Sequence, residues 1–229
     1  MREIVLDTET TGFEPEQGDR IVEIGAVELF NHLPTGNHWH QYINPQRNMP
    51  SSAFDVHGLS EEFLSDKPVF AAIAGDFLDF IGDARLVIHN AAFDMKFINH
   101  ELTLARLPAI PWERALDTLA IARQKFPGSP ASLDALCRRF EVDNSRRDKH
   151  GALLDSEILA EVYLELIGGR QPDLVLSNAA STGIQGPKAS SWRPPARPVP
   201  LKARLTREEA DAHATFIQSL GEKAIWNRR

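Results

Sequence analysis

A disulfide framework is excluded by arithmetic, because the chain holds a single cysteine, Cys137. It sits in Leu133-Asp-Ala-Leu-Cys137, a short helical pattern in which it reads as a small core residue. No apolar run approaches the ~20 residues needed to cross a bilayer. Met1 leads straight into a strand pattern, without the charged, apolar and small-residue succession of a secretory signal. These absences predict a cytoplasmic, reducing location and no membrane partner. Internal repeats are lacking as well. Positive charge is scarce, since 25 Lys and Arg stand against 32 Asp and Glu, for a net of −7. The 229 residues, 42% of them hydrophobic, suffice for one sizeable soluble domain and an appendage.

Most informative is residues 4–12, Ile-Val-Leu-Asp-Thr-Glu-Thr-Thr-Gly. An apolar strand delivers Asp7 and Glu9 two residues apart, and residues i and i+2 of a strand project from one face. Two carboxylates held that close repel, so one stays protonated unless a cation neutralises them. Hard divalent cations such as Mg²⁺ or Mn²⁺ suit such oxygens. A second acidic position, Asp94, opens a helix immediately after the short apolar strand Leu86-Val-Ile-His-Asn90. Open α/β sheets build their sites beyond such strand ends. A third segment, His150-Gly-Ala-Leu-Leu-Asp155, leads into an apolar-periodic run through Ile158, Leu159, Val162, Leu166 and Ile167. Five residues apart on one helix, His150 and Asp155 would point about 140° away from each other. Both reach one spot only if Asp155 is helical and His150 lies in the loop before it, within Asn144-Ser-Arg-Arg-Asp-Lys149 and its continuation. Taken singly, Asp7 and Glu9 also read as an acidic strand end, Asp94 as a helix cap and His150 as a surface histidine. Together they form a catalytic inventory of four carboxylates and one histidine.

The patterning predicts strands near 2–7, 20–30 and 38–44 and helices near 69–82, 92–105, 117–126, 132–140 and 152–167. Strands first and helix–strand alternation later give an α/β domain with a mixed sheet and helices on both faces.

In this order and in these phrases (Asp-Thr-Glu-Thr-Thr-Gly, His-Asn-Ala-Ala-Phe-Asp, His-Gly-Ala-Leu-Leu-Asp), residues 1–168 closely resemble the histidine-containing branch of the DEDD 3′→5′ exonucleases. Within it they look most like the epsilon proofreading subunits of bacterial DNA polymerase III. The resemblance implies a ribonuclease-H-like fold and hydrolysis by two divalent ions, Mg²⁺ or Mn²⁺, held by Asp7, Glu9, Asp94 and Asp155. His150 is implied as the general base. Release of nucleoside 5′-monophosphates from a DNA 3′ end would follow. By the same resemblance, the terminal nucleotide contacts Asp7, Thr8, Glu9, Thr10, Gly12, Ser52, His57, Asn90, Phe93 and Asp155. At Ser52 relatives can carry an acidic residue, a departure in this chain. Frayed ends would enter such a pocket more readily than paired ones, since unpairing costs a few kcal/mol.

Composition changes after Gly168-Gly169. Residues 177–200 are rich in Ser, Ala, Gly and Pro and read as a flexible linker. From Ser177 onward nine Lys and Arg face four Asp and Glu, which leaves −12 on residues 1–176. A domain so acidic is poorly suited to gripping a polyanion alone, and a partner is expected to hold the DNA. Beyond the linker, Thr206-Arg-Glu-Glu209 reads as a capping box, and Ala210, Ala214, Ile217 and Leu220 as an apolar helical stripe followed by Ala224-Ile-Trp226. One helix cannot bury such a stripe alone. The resemblance makes 201–229 the segment that binds the replicative polymerase catalytic subunit. It also makes Gln171-Pro-Asp-Leu174-Val-Leu176 a sliding-clamp peptide, and a small accessory subunit a further partner. The division is therefore 1–170 exonuclease domain, 171–200 linker and 201–229 polymerase-binding tail, in a bacterial replisome. Two rivals share the active site or the fold: a free-standing ribonuclease trimming RNA 3′ ends, and a non-enzymatic replication adaptor.

Overall fold

The computed structural model describes residues 1–145, 149–169 and 205–220. The chain divides into two units, Met1–Val175 and Leu176–Arg229. In the first, a five-stranded mixed sheet has the order β3-β2-β1-β4-β5, with β1 at Arg2–Thr10, β2 at Ile21–Phe30, β3 at Leu33–Tyr42, β4 at Arg85–Ile88 and β5 at Ala115–Asp117. β1, β2 and β3 pair antiparallel, whereas β4 lies parallel to β1 and β5 parallel to β4. The helices are α1 (Ser51–His57), α2 (Glu61–Leu64), α3 (Phe70–Ile81), α4 (Ala91–Leu104), α5 (Thr118–Lys125), α6 (Leu133–Phe140) and α7 (Ala152–Leu166).

The two-residue period of β1 sorts its side chains between two cores. Ile4 and Leu6 pack with Phe70, Phe77, Met95 and Phe97 of α3 and α4. Val5 packs with Leu136, Leu159, Val162 and Tyr163 of α6 and α7. Each fully buried phenylalanine in the first group contributes roughly 2–3 kcal/mol of burial. The same alternation puts Asp7 and Glu9 on the α7 side and Thr8 on the α4 side. The α/β architecture, mixed and helix-flanked as its pattern indicates, is thus also what sorts the chemistry.

Differences from the sequence pattern are local. β3 starts at Leu33 and not near 38, because Asn31 and His32, with φ of 51° and 67°, make a tight two-residue hairpin turn. Pro34 and Gly36 make that stretch read as loop. α1 and α2, short and introduced by Pro50 and by the Ser60 cap, escape a periodicity search. So does the three-residue β5. Cys137 is buried in the α6–α7 core and forms no disulfide.

In the second unit, α8 spans Arg207–Ser219, and Thr206 and Glu209 form the reciprocal capping box. Its residues are exposed or half-buried, Ile217 and Ala210 being the half-buried ones. Gln171–Leu176, the linker and Ala224–Trp226 lie outside the described residues. Among the described residues no helix is long and apolar enough to cross a membrane.

Candidate active site

Gly25 is the residue that brings α7 to the strands. It pairs with Asp7 across the β1–β2 ladder. A Cβ there would lie 2.2 Å from the Leu153 nitrogen and 2.3 Å from the Ala152 carbonyl carbon, so only glycine admits the helix start at this distance. The Ser156 hydroxyl then donates to the Gly25 carbonyl at 2.9 Å, fixing the first turn of α7 against β2. Asp155 sits in that turn and His150 precedes it, ahead of the Gly151 cap. Loop histidine and helical carboxylate are arranged as their spacing requires. His150 Nδ1 lies 3.2 Å from Asp155 Oδ2. Ligand atoms of Glu9, His150 and Asp155 all fall within 4.8 Å of one another.

Asp94 arrives from the other layer. It lies in the first turn of α4, after Asn90 in the left-handed conformation, φ 66°. Its Oδ1 accepts the Thr8 hydroxyl at 2.7 Å. Burial pushes its carboxyl up to about 7, and the charge of Asp117 adds to this against its hydrogen bonds. Asp117 in turn accepts the amides of Asn90 at 3.1 Å and Leu119 at 2.9 Å, tying the start of α4 to that of α5. Asp7 and Asp94 stand outside the Glu9–His150–Asp155 group, flanking it from β1 and from α4.

Beside the group opens a cleft of about 160 Å³ lined by Thr8, Glu9, Thr10, Gly12, Phe13, Ser52, Ala53, Val56, His57 and Phe93. It contains seven of the positions expected to meet a nucleotide, while Asp7, Asn90 and Asp155 are not among its lining residues. His57 Nδ1 accepts the Leu59 amide at 3.0 Å, and its buried Nε2 makes no aligned hydrogen bond. Burial holds this imidazole below its usual range, although the Glu23 charge and the Thr10 carbonyl pull the other way. A buried imidazole nitrogen with no well-aligned partner among the described residues suits a polar group of a ligand. Phe13, 78% exposed, stands edge-on to Phe93 at the rim.

Several contributors were not apparent from sequence. Gly25 carried the signal of a glycine within a β-branched strand, which marks close backbone approach. Glu23 faces Glu9 across the ladder and meets His40 Nε2 at 2.7 Å. That pairing, like the bonds of Asp117, depends on register and leaves no local pattern.

Residues 4–163 match the family described as Exonuclease. Over 224 residues the chain is 50% identical to the DNA polymerase III subunit epsilon of Rickettsia felis, covering 96% of this chain and 97% of that one. The subunit epsilon of Escherichia coli K12 is 45% identical over 237 residues, covering 98% and 97%. This chain belongs to the epsilon-subunit family of exonucleases. It is a metal-dependent 3′→5′ proofreading exonuclease. Among solved structures it is similar to exonuclease X in complex with 5′-overhanging duplex DNA, at 26% identity and TM-score 0.55 over 72% of this chain and 90% of that one. The nuclease domain of a DEDDh-family 3′-exonuclease bound to rAMP shares the fold at 20% identity and TM-score 0.63, covering 72% and 91%.

The donors present fit the divalent metal ions that an exonuclease of this family uses. Glu9, Asp94 and Asp155 are 8%, 2% and 2% exposed, and among the described residues no lysine or arginine forms an ion pair with any of them. Carboxylates buried this close together repel, and a hard divalent cation relieves that repulsion.

Proposed function

We propose that this protein trims mispaired 3′ ends of DNA during replication in the bacterial cytoplasm, as a subunit of the replicative polymerase, using two ions of Mg²⁺ or Mn²⁺. The observation that carries this reading is the convergence of Glu9, Asp155 and His150 beside the cleft lined by Thr8, Thr10, His57 and Phe93. Asp7, Glu9, Asp94 and Asp155 would hold the ions. Bound there, they supply positive charge that lowers the pKa of a water and stabilises the leaving 3′ oxygen. His150 takes the proton of that water. Its Nδ1 faces the Asp155 carboxylate, which orients the ring. Nε2, across the ring, is the nitrogen that meets the water.

Thr8, Thr10, Gly12, Ser52, His57 and Phe93 seat the terminal nucleotide, and Asn90 supports the same end of the cleft from the start of α4. Ser52 brings a hydroxyl where an acidic residue would bring charge, so its contact is the weaker. A frayed end enters this cleft at less cost than a paired one. The exonuclease domain is assigned to 1–170, a tether to 171–200 and the polymerase-docking tail to 201–229. The apolar stripe on α8, exposed at Ala214 and Leu220 and half-buried at Ala210 and Ile217, supports the last of these. Gln171–Leu176 is proposed to bind the sliding clamp, and a small accessory subunit remains part of the assembly proposed. The 45–50% identity to epsilon subunits along nearly the whole chain favours this over a free-standing ribonuclease or an adaptor.

The test is release of mononucleotides from single-stranded DNA with Mg²⁺ or Mn²⁺. Asp7→Ala or Asp155→Ala should abolish it, as should EDTA on the unaltered protein. Activity that survives both substitutions would refute the metal assignment. Equal rates on matched and mismatched primers, with preference for RNA ends, would favour the ribonuclease.

A further inference from the structure

Helix α1 borders two things at once. Its residues Ser52, Ala53, Val56 and His57 form one wall of the nucleotide cleft. Its last carbonyls face the segment that carries His150. The His150 amide donates to the Val56 carbonyl at 3.2 Å. Its neighbour Lys149 lays its ammonium 5.1 Å from the centre of the Phe54 ring, with Nζ 3.5 Å from the Phe54 carbonyl oxygen. The helix ends at Gly58, φ 76°, and a Cβ there would lie 2.8 Å from Lys149 Cδ, so the lysine stem fills the space left by the missing side chain. The charge of Lys149 is also felt by His57 in the cleft wall.

We propose that Lys149 is a positioning residue, fastening the segment that bears His150 to helix α1 so that the wall of the cleft and the base are set as one body. The inference rests on the reading of His150 as the base. His150 is half exposed, and while Asp155 orients its ring, the backbone that carries it is placed by its own contacts. A backbone bond to Val56 sets the height of the segment, and the lysine–phenylalanine contact stops it pivoting about that bond. A terminal nucleotide pressing on Val56 and His57 then bears on the same helix that holds the base. An error of about 1 Å in the placement of a reacting group costs on the order of 10²-fold in rate.

The experiment compares full-length Lys149→Ala, Lys149→Arg, Phe54→Ala and the Lys149→Ala/Phe54→Ala double variant on a 3′-labelled single-stranded oligonucleotide. Lys149→Ala should lower kcat by roughly tenfold with KM within about twofold, because the contact acts on the base and not on the substrate. Lys149→Arg, which can also lie over the ring and donate to the carbonyl, should restore the rate. Phe54→Ala should act in the same direction. The double variant should be no slower than the worse single one, since both remove one contact. Tm should be unchanged throughout. A rise in KM that steepens with salt would make Lys149 a phosphate contact and overturn the proposal, as would strictly additive effects, a parallel fall in Tm, or no effect. His150→Ala, assayed alongside, separates the two readings. If it loses activity while Lys149→Ala keeps it, only the positioning role fails.

Discussion

Asp94 and Glu101 are both 2% exposed and seven residues apart on one face of α4, yet they are opposite cases. Glu101 accepts both Arg20 Nε and Arg20 Nη2 at 2.7 Å, and the Ile21 amide at 3.3 Å. The bidentate bond is the leading cause that raises the Arg20 guanidinium above its ordinary value. Asp94 takes the Thr8 hydroxyl and backbone amides, and its carboxyl drifts up to about 7. A buried carboxylate answered by the protein's own cation is structural. One answered, among the described residues, by neutral donors and set beside the Asp117 charge suits the bound cation proposed for it above.

The strongest way to break this comparison is to neutralise each in turn. Asp94→Asn should lower nuclease activity by on the order of 10⁴-fold, about 5–6 kcal/mol of barrier, without loss of Tm. Glu101→Gln should leave kcat near the unaltered value but cost about 3 kcal/mol of stability, since it strands the Arg20 charge. A Glu101→Gln protein that is stable and inactive would reverse the assignment. Next comes His150→Ala, expected to slow the reaction by roughly 10²–10⁴-fold while the metal titration midpoint stays put. A midpoint displaced as far as in Asp155→Ala would make His150 a ligand and not the base.

The pH dependence sharpens the contrast at smaller scale. An aspartate in the unfolded chain ionises near pH 4, whereas burial keeps Asp94 protonated to about 7. The native protein therefore binds the extra proton between those values, and its stability falls as pH rises through them. The Tm of metal-free protein should drop from about pH 5 to about pH 8 more steeply than that of Asp94→Asn, and Mg²⁺ should remove the difference. Identical slopes would mean the carboxyl is not held neutral. The smallest effect on chemistry is expected in the tail. Ile217→Asp should release the polymerase and leave activity on free single strands unchanged, since a tether acts through effective concentration. A chain truncated at residue 176 that still co-purifies with the polymerase would move the docking surface to the nuclease domain.

Much of the site was legible because it follows from period and spacing. Asp7 and Glu9 share a face by the strand repeat, and the five-residue gap between His150 and Asp155 demanded a loop–helix junction. What stayed hidden depends on partners far apart in the chain. The Arg20–Glu101 bond spans 81 residues and the Thr8–Asp94 bond 86, and neither leaves a local pattern. The elements missed are the short ones, α1 among them, although α1 carries Ser52 and His57. Seven residues behind Pro50 are too few for a periodic stripe.

The closeness of α7 to Gly25 has a consequence for heredity. Gly25→Ala adds one methyl group to a residue with no functional side chain, in a strand interior. That methyl would meet Ala152 and Leu153 and push the first turn of α7, with Asp155 and His150, off the strands. In the assembly proposed above, synthesis lies with another subunit and would continue. A cell with this substitution would therefore grow and copy its genome while its uncorrected errors accumulated, a mutator arising from a position that no inspection of reactive groups would flag.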